Sequence, residues 1–124
     1  MNEYVEFTGW IPRWKLYALY QGADAFITPS LFEGFGLPLL EALAAGIPTA
    51  CSAIPPFHWV GGNAVQLFDP HDDRGILEAL ERVSTDPDFR SRAAVEGPAQ
   101  ARRFDWNDSA AQTLAALKQA AHER

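Results

Sequence analysis

The chain has 124 residues, 48% hydrophobic and 21% charged: one globular domain, large enough to bury a core but small for a complete enzyme. A net charge of −6 speaks against nucleic-acid or anionic-membrane partners, which are held by positive charge on the protein. Cys51 is the single cysteine, so an internal disulfide is excluded; the apolar stretches are short and broken by Gly, Pro and charge, so a signal peptide or integral membrane segment is not expected and the chain reads as cytoplasmic.

In chain order, residues 4–8 alternate weakly and predict a strand ending at Gly9. Ile11-Pro12 opens a helix to about Gln21, with Leu16, Leu19 and Tyr20 on one side, Trp14 and Tyr17 broadening it, and Gly22 ending it. Residues 24–28 form a continuous apolar run, as a central parallel strand buried on both faces would. PSLFEGFGLPLLEALAAG follows over residues 29–46: a turn with two glycines, Gly34 and Gly36, and then a helix. Pro38 suits its first turn, Leu37, Leu40 and Ala44 share a face thickened by Leu39, Ala42 and Leu43, and Gly46 and Pro48 stop it. Residues 49–52, which include an apolar Cys51, and 65–68 predict two further strands, joined by a Pro-rich loop.

The last third predicts helices. Asp72 or Asp73 caps one with Ile76, Leu77, Leu80 and Val83 inward, and Asp86-Pro87 starts another that Gly97-Pro98 interrupts or kinks. Asp105 caps a final helix with a stripe of Trp106, Ala110, Leu114, Leu117 and Ala121. Strands alternating with helices imply an α/β domain with a mostly parallel four-stranded sheet and a helical C-terminus, without repeats or low-complexity linkers.

The turn at residues 33–37 carries the chemistry. A helix start presents unpaired N–H groups and about half a positive charge, which suits a phosphate. Gly34 and Gly36 let the main chain approach a ligand, and Glu33 and Glu41 bracket the turn. Carboxylates are poor phosphate ligands but good acceptors for sugar hydroxyls, so the pattern reads as a sugar-nucleotide pocket; the plain alternative is a core helix with incidental acids. His58, His71 and His122 are scattered surface residues rather than a metal-ligand set, and no metal cluster is evident.

Glu33 and Glu41, with seven residues between them in EGFGLPLLEALAAG, resemble the E-x7-E signature of retaining glycosyltransferases with the GT-B fold, the group 1 or GT4-like enzymes. YVEFTGWIPRWKLYALYQGADAFITPS before it, IPTACSAIPPFHWVGGNAVQLFDPHD after it, and FDWNDSA late in the chain resemble the family's flanking elements, so the likeness covers essentially all of the chain. It implies a Rossmann-like C-terminal nucleotide-sugar-binding domain in which Glu33 accepts bonds from the donor sugar's hydroxyls. The N–H groups at Phe35, Gly36 and Leu37 would face sugar and diphosphate, Gly34 would open the approach, and Glu41 would bind the ribose. The implied substrate is a UDP- or GDP-sugar, with no cofactor and no metal, and the implied reaction is hexosyl transfer with retention.

The likeness also implies departures. Trp59-Val60 stands where the family commonly has Glu-Val, and Trp59 is expected to pack against the domain. Residues 1–124 would be one truncated domain, without the family's first two βα units, their Arg and Lys, and the N-terminal domain. The chain alone is then expected to be inactive, with Glu33 the candidate catalytic residue of an incomplete set. In a sheet ordered 3-2-1-4-5-6 the strand at 24–28 would have an open edge. The strand at 4–8 would move in beside it, or a homodimer, a swapped assembly or a separate N-terminal half would cover it. Two other classes fit the same residues: a non-catalytic remnant serving as an oligomerising interaction module, and a nucleotide-sugar epimerase of the same shape, which the E-x7-E spacing disfavours. Without the resemblance a flavodoxin-like receiver is a rival, weakened because no Asp stands isolated at a strand end.

Overall fold

A computed structural model describes residues 3–123. The elements run α1 (Arg13–Gly22), β1 (Phe26–Thr28), α2 (Leu37–Ala44), β2 (Thr49–Ser52), α3 (Pro55–Gly61), β3 (Val65–Phe68), α4 (Asp73–Thr85), α5 (Pro87–Ala101) and α6 (Trp106–His122). The sheet has three parallel strands in the order β1-β2-β3, with Ile27 opposite Ala50 and Cys51 opposite Leu67.

The expected fourth strand is absent. Residues 5–9 form no ladder, and Tyr4 and Phe7 are 93% and 91% exposed. An alternating pattern makes a strand only when a neighbour supplies hydrogen-bond partners. The segment does not move in beside β1, whose outer edge is bare among the described residues; β1 is a half-buried edge strand rather than a central one.

β2 is the central strand, buried at all four positions. Its alternation divides the core, placing Cys51 with Leu39, Leu43, Phe57 and Val60, and Ala50 with Phe68, Ala79, Val83 and Phe89. The buried hydroxyls are partnered: Thr49 Oγ1 donates to the Ile47 carbonyl at 2.7 Å and Ser52 Oγ to the Thr28 carbonyl at 3.4 Å. Burial pushes the Cys51 thiol up to about 12, so it stays protonated and behaves as a small apolar side chain.

Helix faces differ from the sequence pattern in specific ways. In α2 the inward face is Leu39, Ala42 and Leu43, with Leu40 half-buried and Leu37 and Ala44 exposed. In α4 it is Ala79 and Val83 with Ile76 partly covered, while Leu77 and Leu80 face out. In α1 only Tyr20 is buried. The segment expected as a Pro-rich loop is α3, because Pro55 and Pro56 occupy first-turn positions that need no N–H, and Phe57 and Val60 share the buried face.

Gly97-Pro98 does not break α5. A Cβ on Gly97 would lie 2.9 Å from the Leu43 carbonyl oxygen, so the glycine lets α5 press against α2, and that packing carries the helix through the proline. The caps stand as the sequence indicates: Asp72 accepts from the Arg74 N–H, Asp86 from those of Asp88 and Phe89, and Asp105 from that of Asn107. The Phe89 N–H foremost, then that of Asp88 and Arg82, holds the Asp86 carboxyl below its ordinary range. α6 carries its apolar stripe but buries none of it.

Candidate functional site

The turn between β1 and α2 leaves the sheet at the carboxyl ends of β1 and β2, where parallel α/β sheets present their loops. Gly36 is the N-cap, with φ 103° and ψ 57° and no side-chain cap. A Cβ there would lie 2.5 Å from Phe57 Cε1, so both backbone conformation and packing demand glycine. Gly34 differs: a Cβ on it would meet nothing within 4 Å, so its surroundings in the fold leave room for a side chain.

The N–H groups of Phe35, Gly36 and Leu37 donate to no described residue, and the helical ladder starts with Leu40 N–H to the Gly36 carbonyl at 3.1 Å. Pro38 contributes no donor. The helix start therefore keeps its unpaired, partly positive N–H groups.

The two acids stand in different settings. Glu33 is half-buried on the loop, and its Oε1 accepts from Ser30 Oγ at 2.9 Å. Glu41 is half-buried on α2, one helical turn beyond Leu37 and beside Tyr20 of α1. Among the described residues neither acid is in an ion pair. Both carboxylates thus retain acceptor capacity.

Tyr20 donates its hydroxyl to the Pro38 carbonyl at 3.4 Å, and its ring lies 5.9 Å from that of Phe26. Burial first and the Glu41 carboxylate second push its phenol up to about 12. A folded-state value above the unfolded 10.0 means that the stabilisation is complete below pH 10 and is lost as pH rises towards 12. Absorbance titration at alkaline pH is therefore expected to show a late phenolate step, absent in Tyr20→Phe, with thermal stability falling through the same window. A step complete by pH 10.5 would contradict this arrangement.

Phe35 packs among aromatic rings from α3 and from the segment before α6. Its ring meets those of Trp59 and Phe104 edge-on at 5.7 and 5.6 Å, and Trp59 meets Phe104 at 5.0 Å. Trp59 packs on the domain by one edge, as expected, yet is 64% exposed. These aromatics, with Leu37, Leu40 and Trp106, line a cleft of about 450 Å³ between α2 and the start of α6. That cleft shares Phe35 and Leu37 with the turn but is lined by neither Glu33 nor Glu41, so it adjoins the helix start without including the acids. Sequence reasoning missed Ser30, the place of Tyr20 beside Glu41, and Phe104 as the partner of Phe35 and Trp59. A hydroxyl three residues before the acid was a readable signal for Ser30; partners far apart in the chain gave none for the others.

The protein-family model for "Glycosyl transferases group 1" matches residues 1–100. The chain is 36% identical over 115 residues to O-antigen chain mannosyltransferase B of Escherichia coli, covering 93% of this chain and 30% of that one. It is 38% identical over 103 residues to D-inositol 3-phosphate glycosyltransferase of a Nocardioides species, covering 82% of this chain and 22% of that protein. Among solved structures, sucrose-phosphate synthase from Thermosynechococcus elongatus superposes with a TM-score of 0.83 and 26% identity over 96% of this chain and 31% of that one. The three parallel strands with their flanking helices match that part of a GT-B fold. The chain thus spans less than a third of the length of these relatives. No helix among the described residues is long and apolar enough to cross a membrane. With its family model matched over residues 1–100, the chain belongs to the glycosyl transferases of group 1.

Proposed function

We propose that the turn at residues 33–37 and Glu41 bind the nucleotide-sugar donor, a UDP- or GDP-sugar, for retaining glycosyl transfer in the cytoplasm. Glu33 accepts bonds from the sugar hydroxyls, the N–H groups of Phe35, Gly36 and Leu37 face sugar and diphosphate, and Glu41 takes the ribose hydroxyls. The observation that carries this reading is the set of N–H groups at a glycine-opened helix start that donate to no described residue, next to carboxylates that no cation among the described residues neutralises. Oriented N–H groups also stabilise charge developing on a leaving diphosphate. Turnover would need a second wall facing the turn, so the chain by itself binds donor without transferring it.

Calorimetry with UDP, GDP, UDP-glucose and GDP-mannose tests the reading. At least one pair is expected to give binding heat, and Glu41→Gln is expected to weaken it about 10-fold or more, as loss of a hydrogen bond to a charged group does. Absence of heat with all four ligands would overturn it.

A further inference from the structure

We propose that Ser30 is a positioning residue that orients Glu33 for the donor sugar, as the last link of a hydroxyl relay anchored in the sheet. This rests on the reading of Glu33 as the sugar's acceptor.

Proton bookkeeping sets the direction of the relay. Ser30 Oγ lies 2.9 Å from Glu33 Oε1 and 3.3 Å from Thr28 Oγ1. An ionised carboxylate has only lone pairs, so the single hydrogen of Ser30 goes to Glu33, and Thr28 must donate to Ser30. Thr28 is the last residue of β1, and its carbonyl accepts from Ser52 of the buried central strand. The carboxylate is thereby tied to the buried central strand.

The rest of the loop offers little else to hold it. Leu31 and Phe32 are 64% and 88% exposed, the space over Gly34 is open, and Glu33 has no ion-pair partner among the described residues. With Oε1 engaged on its protein side, Oε2 and the remaining lone pairs are left for sugar hydroxyls. A charge-assisted bond of this kind fixes one side-chain geometry before the ligand arrives, so less order has to be imposed on binding.

The test compares affinity for a nucleotide sugar with affinity for its nucleoside diphosphate, UDP-glucose against UDP and GDP-mannose against GDP, using the full chain. Ser30→Ala is expected to lower the sugar-dependent gain about 5–10-fold while leaving diphosphate affinity unchanged. Ser30→Thr should restore it, and Thr28→Val should reproduce the loss without touching Ser30. Glu33→Gln should show the same selective loss, with no further loss when combined with Ser30→Ala. Independently of any ligand, three-bond NMR couplings of Glu33 should report one χ1 rotamer in the native chain and averaging in Ser30→Ala.

A Ser30→Ala chain that keeps both the sugar-dependent gain and a single Glu33 rotamer overturns the inference while leaving the donor-site reading intact. Glu33→Gln without any effect on sugar affinity removes Glu33 from the donor-site reading, and the inference with it, while binding heat from the nucleoside diphosphates would still support the N–H groups and Glu41.

Discussion

Gly36→Ala is expected to destabilise the protein by about 2–5 kcal/mol, the sum of a left-handed backbone cost of about 1–2 and an overpacking cost of about 1–3. The first part arises because φ is 103°, a conformation that side-chain-bearing residues rarely adopt. The second arises because the new methyl would lie 2.5 Å from Cε1 of Phe57, a ring that is 1% exposed and has nowhere to retreat. Thermal unfolding should show a melting temperature lower by roughly 8–20 °C, at about 4 °C per kcal/mol for a domain of this size. Gly34→Ala is the internal control: its Cβ meets nothing within 4 Å, so stability should change by no more than about 0.5 kcal/mol. Equal destabilisation of the two variants would show that the Phe57 contact does not govern the turn.

The second large effect is Phe57→Ala, expected to cost about 3–5 kcal/mol as a large-to-small change in a closed core. Phe57 is the largest fully buried side chain and packs in one cluster with Leu39, Leu43, Cys51 and Val60, joining α2, β2 and α3. It also roofs Gly36, so the two substitutions are coupled. In the double variant the alanine methyl at residue 36 enters the space that the ring has left. Combined destabilisation should therefore fall short of the sum by about 0.5–3 kcal/mol. Denaturant titration of the four species measures this. Strict additivity would assign the whole cost of Gly36→Ala to its backbone and none to the ring.

Coupling of this kind marks the boundary of what could be read from the chain. The E-x7-E spacing, the glycine-opened helix start and the three aspartate caps were legible because each depends on residues within a turn or two of one another. β2 and β3 were legible for a related reason, since short apolar runs between turn residues have few other places to go. Residues 4–8 show the opposite case. Their weak alternation predicts a strand, but no paired edge receives them, and the fourth strand does not form.

Pro98 and α6 follow the same logic with opposite outcomes. A proline that would end an isolated helix is carried through because Gly97 lets α5 sit against the Leu43 carbonyl. The stripe on α6 predicts burial, yet Leu114 and Leu117 are 52% and 64% exposed, because amphipathicity creates a face without supplying what covers it.

At the candidate site the division is similar. Glu33, Gly34, Phe35, Gly36, Leu37 and Glu41 were all named as candidates from sequence, and the structure gives them distinct settings. Gly36 is a packing requirement, Phe35 anchors the turn to Trp59 and Phe104, and each acid has a hydroxyl-bearing neighbour. The sequence by itself determined the order of the inner strands and of every helix but α3, the caps and the place of the turn, because local backbone preferences and short-range spacing suffice for these. Only the tertiary structure decided the strand count, the buried helix faces, the continuity of α5 and the partners of Glu33 and Glu41. Each of those depends on which distant surface arrives to exclude water or complete a hydrogen bond.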